Sequence, residues 1–189
     1  MTRDLGSPAP QVHAQAQDVL RFWFEETPDR LWYVEDHGLD AICASRFGPL
    51  RDAVLEGRAE GWRDEPETML AATILLDQFS RNIFRGEARA FEADPLALEL
   101  AKEAVARGWP DRFDERHRQF LLMPFMHAED GAMQRRSIEL FTGTENEIYA
   151  IRHAEQIERF GRFPQRNVAL GRETTAEEER FLSQSGARF

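Results

Sequence analysis

Cysteine and lysine are almost missing from this chain: Cys43 and Lys102 are the sole examples among 189 residues. One thiol excludes an intramolecular disulfide and a cysteine-rich zinc site. Cys43 falls on an apolar helical stripe, where a small buried residue is the expected role. With lysine all but absent, arginine abundance says nothing, and only arginine position is informative. The N-terminus has no apolar signal core, and no apolar run approaches the roughly 18 residues of a bilayer span. The expectation is a cytoplasmic protein with no membrane partner. Excess positive charge is lacking as well: a net charge of −10 and a pI near 5.1 argue against nucleic acid or anionic lipid as a partner. There is no phosphate loop, no Gly-x-Ser-x-Gly turn and no HExxH, so no cofactor is expected.

What is present is apolar mass and helical period. Hydrophobic residues make up 42%, with 14 Phe and 4 Trp, enough for one sizeable core. The expected organisation is a flexible tail over residues 1–13 and a single helical domain over 14–189. A helix should run to about Glu26, burying Val19, Leu20, Trp23 and Phe24. Another is expected from about Leu39 to Glu56, kinked or split at Gly48-Pro49. Asp94-Pro95 reads as an N-cap with proline at N1, and Asp114 as the cap of the helix carrying FLLMPFMHAED. Thr144 with Glu147, and Thr174-Thr175 with Glu177-Glu178, read as capping boxes. β-period alternation is not convincing anywhere. The class is all-α, with seven to nine helices in antiparallel pairs.

The central stretch is Met69 to Gly86, MLAATILLDQFSRNIFRG. Ala72, Leu75, Leu76, Phe79 and Ile83 form one stripe, and Asp77, Arg81 and Arg85 line up at i, i+4 and i+8 opposite. Such a helix suits the wall of a pocket or a buried ion-pair network. Phe79-Ser80-Arg81-Asn82 is echoed by Phe163-Pro164-Gln165-Arg166-Asn167, which suggests two arginine-asparagine devices meeting at one place.

DQFSRNIFRG (Asp77 to Gly86), PFMHAED (Pro124 to Asp130) and RFGRFPQRN (Arg159 to Asn167) stand in order, between RFWF (Arg21 to Phe24) and GRETTAEEERFL (Gly171 to Leu182). Together they resemble a bacterial domain family of unknown function with a tetratricopeptide-like fold. The resemblance covers nearly the whole chain and implies an α-α superhelix. It implies no activity. The ordinary 34-residue repeat signature is not readable here, so a peptide-binding role does not follow.

Two readings of the polar residues stay open. In the first, Gln78, Arg81, Asn82, Arg85, Asp130, Arg162, Arg166 and Asn167 line a groove for a small anionic ligand or an acidic peptide end, since guanidinium groups grip carboxylate and phosphate bidentately. Arg172 lies beside the same loop. In the second, a hydrolase or lyase uses His127 with Glu129 or Asp77. His127, Asp130 and Gln134 share a helix face at i, i+3 and i+7, while Glu129 diverges. A metal through His127 would need further ligands, and none is expected. His153 aligns with Tyr149, Ile157 and Phe160, the setting of a core histidine. The bland alternative is a structural ion-pair network, with Asp77–Arg81 as an i, i+4 pair.

Overall fold

In the computed structural model, which describes residues 8–184, helix α1 spans Pro8–Arg21 and passes directly into a π-helical turn, Phe22–Glu26. The helix starts inside the stretch expected as a tail. Proline suits a first turn because its missing N–H would have no intrahelical acceptor there. The remaining tail residues, 1–7, lie outside the described residues, as do 185–189. Helix α2, His37–Glu56, is capped by Asp36 and runs unbroken through Pro49. Gly48-Pro49 therefore does not split it.

The chain then enters α3 (Pro66–Thr73), a π-helical stretch Ile74–Phe79 and the short α4 (Ser80–Ile83). Met69 to Ser80 are all buried, so this rod is wrapped on every side rather than on one stripe. Phe79 is fully buried and its ring sits 5.8, 5.4 and 5.0 Å from those of Phe22, Trp23 and Phe47. Beside it, the wholly buried Arg51 of α2 donates to Ser80 at 2.8 Å and to Glu92 at 2.7 Å, tying α2 to the rod.

Helices α5 (Asp94–Ala106), α6 (Glu115–His127), α7 (Gly131–Phe141), α8 (Glu147–Phe160) and α9 (Ala176–Leu182) complete the fold. Consecutive helices pack on one another, α6 on α7 and α7 on α8. Among the described residues there is no strand, and no helix is long and apolar enough to cross a membrane.

The caps differ from expectation in two places. Asp114 caps α6 and Thr175 with Glu178 forms a true capping box on α9. Thr144, however, donates to the Phe141 carbonyl, and Asn146 precedes α8 instead. Asp94 occupies the first turn of α5 after Ala93 and makes no cap; its carboxylate is engaged elsewhere.

Cys43 is buried, and burial pushes its thiol up to about 12, which keeps it an inert core group.

Candidate functional site

The π-helical stretch presents Asp77 to the C-terminal end of α6. Single π turns inside α-helices are frequent at functional sites, because an extra residue per turn re-aims a side chain. Asp77 is 1% exposed, and its Oδ1 lies 2.7 Å from His127 Nδ1. Gln78 donates its amide to the other oxygen. Burial works against the Asp77 charge, but the His127 ring and the Arg81 guanidinium outweigh it and hold the carboxyl well below its ordinary range. An ionised carboxylate can only accept, so Nδ1 carries the proton that faces it. Nε2 of the same ring has no hydrogen-bond partner among the described residues, and the side chain is 17% exposed.

The backbone of His127 is held from two directions. Gln134 Nε2 donates to the Met126 and Ala128 carbonyls, each at 2.7 Å, and Arg166 Nη2 donates to the His127 carbonyl at 2.9 Å. Three successive carbonyls at the open end of α6 are thus capped by side chains. Among the described residues, nothing pairs with the buried Gln134 Oε1.

Arg81 and Arg166 meet through Asp94. Arg81 makes two parallel bonds to it at 3.0 and 3.1 Å, and Arg166 adds one at 3.0 Å. Arg81 also donates to the Ala90 carbonyl at 2.7 Å and stands 3.5 Å from Asp77. The Arg166 guanidinium is sandwiched between Phe91 and Phe163, 4.6 and 4.7 Å from their centroids. Burial and the like charge of Arg81 draw Arg166 down to about 10. The two cations repel across a shared anion, and Asp94 together with Asp77 balances their charge.

The other candidates are drawn apart. Arg85 lies past the end of α4 and forks onto Asp40 at 2.7 and 2.8 Å, with Asn82 joining at 2.8 Å. It does not continue the Asp77–Arg81 row. Ala128 is extended, which ends α6 at His127 and sends the next two carboxylates elsewhere. Asp130 caps α7 through the Ala132 and Met133 amides, and Glu129 takes Arg172 at 2.7 and 3.0 Å plus the Phe163 amide. Neither pairs with His127. Arg162 forks onto Glu178 at 2.7 and 2.9 Å, and buried Asn167 contacts Glu178 and Arg172.

The carboxylate that joins the arginines, Asp94, was hidden behind its resemblance to a cap, and Asp40 gave no local signal at all. His153 is 6% exposed, and burial first, then the neighbouring His127 ring, lowers it to about 3. It therefore stays neutral. Its ring centroid is 6.0 Å from that of His127.

Glu178 locks α9 to the loop. The Arg162 bonds hold its carboxyl at about 2, below an ordinary 4.5. A depressed carboxyl stabilises the fold fully above about pH 4.5 and loses that contribution as pH falls toward 2. Amide exchange in α9 is expected to accelerate across that window before α3 does; uniform exchange in both helices would contradict it.

Among the described residues no group of three His, Cys, Asp or Glu side chains is arranged to hold a metal ion. Elemental analysis of purified protein is expected to find no zinc, iron or manganese equivalent that disappears in His127→Ala.

A family described as bacterial protein of unknown function (DUF924) matches residues 19–186. The structure of the protein of unknown function ATU0120 from Agrobacterium tumefaciens is 41% identical, with a TM-score of 0.86, covering 91% of this chain and 98% of that one. No curated protein matches the chain.

Proposed function

The chain belongs to the DUF924 family of bacterial proteins, and we propose that its working centre is the His127 imidazole, transferring a proton to or from a small anionic substrate. The observation that carries this reading is the 2.7 Å bond from His127 Nδ1 to the buried Asp77 carboxylate. The carboxylate fixes the tautomer and the ring orientation, leaving Nε2 to act as general base or acid in a hydrolase or lyase step. Asp77 is a positioning residue, and Glu129 has no part in the step because Arg172 occupies it. Arg166 and Arg81 stand beside this ring, their charge balanced by Asp94 and Asp77. Their own hydrogen bonds to Asp94, Ala90 and His127 make them a brace as well.

A second reading, small-anion binding without turnover, is favoured by the arginine pair that shares one carboxylate. The two are separated by one set of measurements on wild type, His127→Gln and Asp77→Asn. Turnover of a panel of phosphate monoesters and half-esters of dicarboxylic acids, all anionic, is expected in wild type and lost in His127→Gln. Thermal shifts with phosphate and acetate report binding, since a ligand at 100 times its Kd adds about 2.7 kcal/mol. Binding without turnover of any substrate would leave only the second reading. Turnover that survives in His127→Gln would remove the first outright.

A further inference from the structure

Helix α2 ends in a strained turn. After Gly57, Arg58 and Ala59 both take left-handed backbone, at φ 51° and 56°, where residues with a side chain are uncommon. Hydrogen bonds hold the turn closed. The Ala59 amide donates to the Val54 carbonyl at 2.8 Å, Trp62 donates to the Ala59 carbonyl at 3.1 Å, and Arg63 Nη2 reaches back to the Arg58 carbonyl at 3.1 Å. Doubling back in this way sets Ala59 and Trp62 against the first turns of α1. Between α1, the end of α2 and this turn lies a cleft of about 280 Å³. Val12, Leu50, Val54, Ala59 and Trp62 form its apolar wall. Ala53 and Gly57, small and exposed, leave room at its mouth.

The rim of the cleft is acidic and short of cations. Three arginines at this corner are already engaged by two carboxylates. Arg58 pairs with Glu99 at 2.6 Å, Arg63 with Glu99 at 2.8 Å and with Glu103 at 2.9 Å, and Arg107 with Glu103. Glu65 faces His13 at 2.9 Å. Glu60, which lines the cleft, and Glu56, which ends α2, are exposed and have no basic partner among the described residues. Gln11 and Gln15, one turn apart on α1, add side-chain carbonyls that accept no bond among the described residues. An ammonium group complements such a rim, since it brings three donors and one positive charge to a chain of net charge −10.

We propose that this cleft binds a small amphipathic monocation, its apolar body against Val54 and Trp62 and its ammonium group at Glu60 beside Gln11 and Gln15. A volume of about 280 Å³ falls just under the roughly 300–1,000 Å³ of drug-sized sites, so the occupant is one small molecule and not a folded partner. Burial of the apolar body supplies most of the affinity. Glu60 supplies the selection by charge, and an exposed pair of this kind changes affinity by up to about fivefold. None of the lining residues belongs to the His127 centre, so this site and that one stand or fall separately.

The test is NMR titration of the full chain at low ionic strength with phenethylammonium, phenylpropionate and ethylammonium. The second probe inverts the charge and the third removes the ring. Phenethylammonium is expected to bind about fivefold more tightly than either, with amide shifts confined to the start of α1 and residues 50–62. Glu60→Gln should at least halve its preference over phenylpropionate, and added salt should weaken that preference in wild type. Ala53→Phe, at an exposed helix position, should fill the mouth and abolish binding of every probe with the thermal midpoint kept. Phenylpropionate binding as tightly as phenethylammonium, or a preference unchanged in Glu60→Gln, overturns the proposal. So do shifts centred elsewhere, binding that survives in folded Ala53→Phe, or no binding by wild type in the millimolar range. If Ala53→Phe does not fold, the Glu60→Gln comparison decides by itself.

Discussion

Phe79→Ala is expected to destabilise the protein by about 3–5 kcal/mol, the range for deleting a buried aromatic ring. Phe79 ends the π-helical stretch with no solvent exposure and touches aromatic rings from three other parts of the chain: Phe22 and Trp23 after α1, and Phe47 from α2. Those rings are themselves buried and packed on further rings, tilted or edge to face, so they cannot collapse into the void without losing their own contacts. The upper part of the range is expected for that reason. Urea unfolding at equilibrium checks it, with Phe79→Leu as the milder partner. A loss under 1 kcal/mol in Phe79→Ala would mean that the site relaxes freely, contrary to its packing.

The same residue shows how far the sequence could be read. An apolar stripe at helical spacing pointed to Phe79 as buried, and it is buried. The stripe did not reveal that Asp77 and Gln78 on the other side are buried too, because burial there is imposed by α5 and α6 rather than by local pattern. Nor does any local signal announce π-helical turns; they come from packing that favours one extra residue in a turn.

At the site, the repeated Phe…Arg-Asn pattern was enough to suggest that Arg81 and Arg166 meet. Their anion was not legible, since Asp-Pro before an apolar run reads as a cap and only the fold brings Arg166 to it from 72 residues away. Glu129 was misleading in the opposite sense. Two residues from His127 it looks like a partner, but the extended Ala128 carries it to Arg172. Asp77 itself was among the candidates for His127, and the bond between them needed the approach of two helices 50 residues apart in sequence.

Asp94→Ala should cost about 3 kcal/mol, the low end of what breaking a buried ion pair costs, because Asp94 is part-buried and its loss leaves charge uncompensated. Here two guanidinium groups lose the same counter-ion. Arg81 keeps Asp77 at 3.5 Å and the Ala90 carbonyl, whereas Arg166 keeps the His127 carbonyl and its two rings. Neither set replaces a charge lying between two like charges. Arg166→Met is expected to cost less, since it removes one cation and the repulsion on Arg81 while keeping much of the ring packing. Combining Asp94→Ala with Arg166→Met should therefore recover part of the loss, and the recovery is the coupling energy. The order expected in urea unfolding is Asp94→Ala worst, the double variant intermediate and Arg166→Met mildest. Strictly additive losses would show that Asp94 and Arg166 do not act on each other, and the bond between them would then contribute nothing to the clasp.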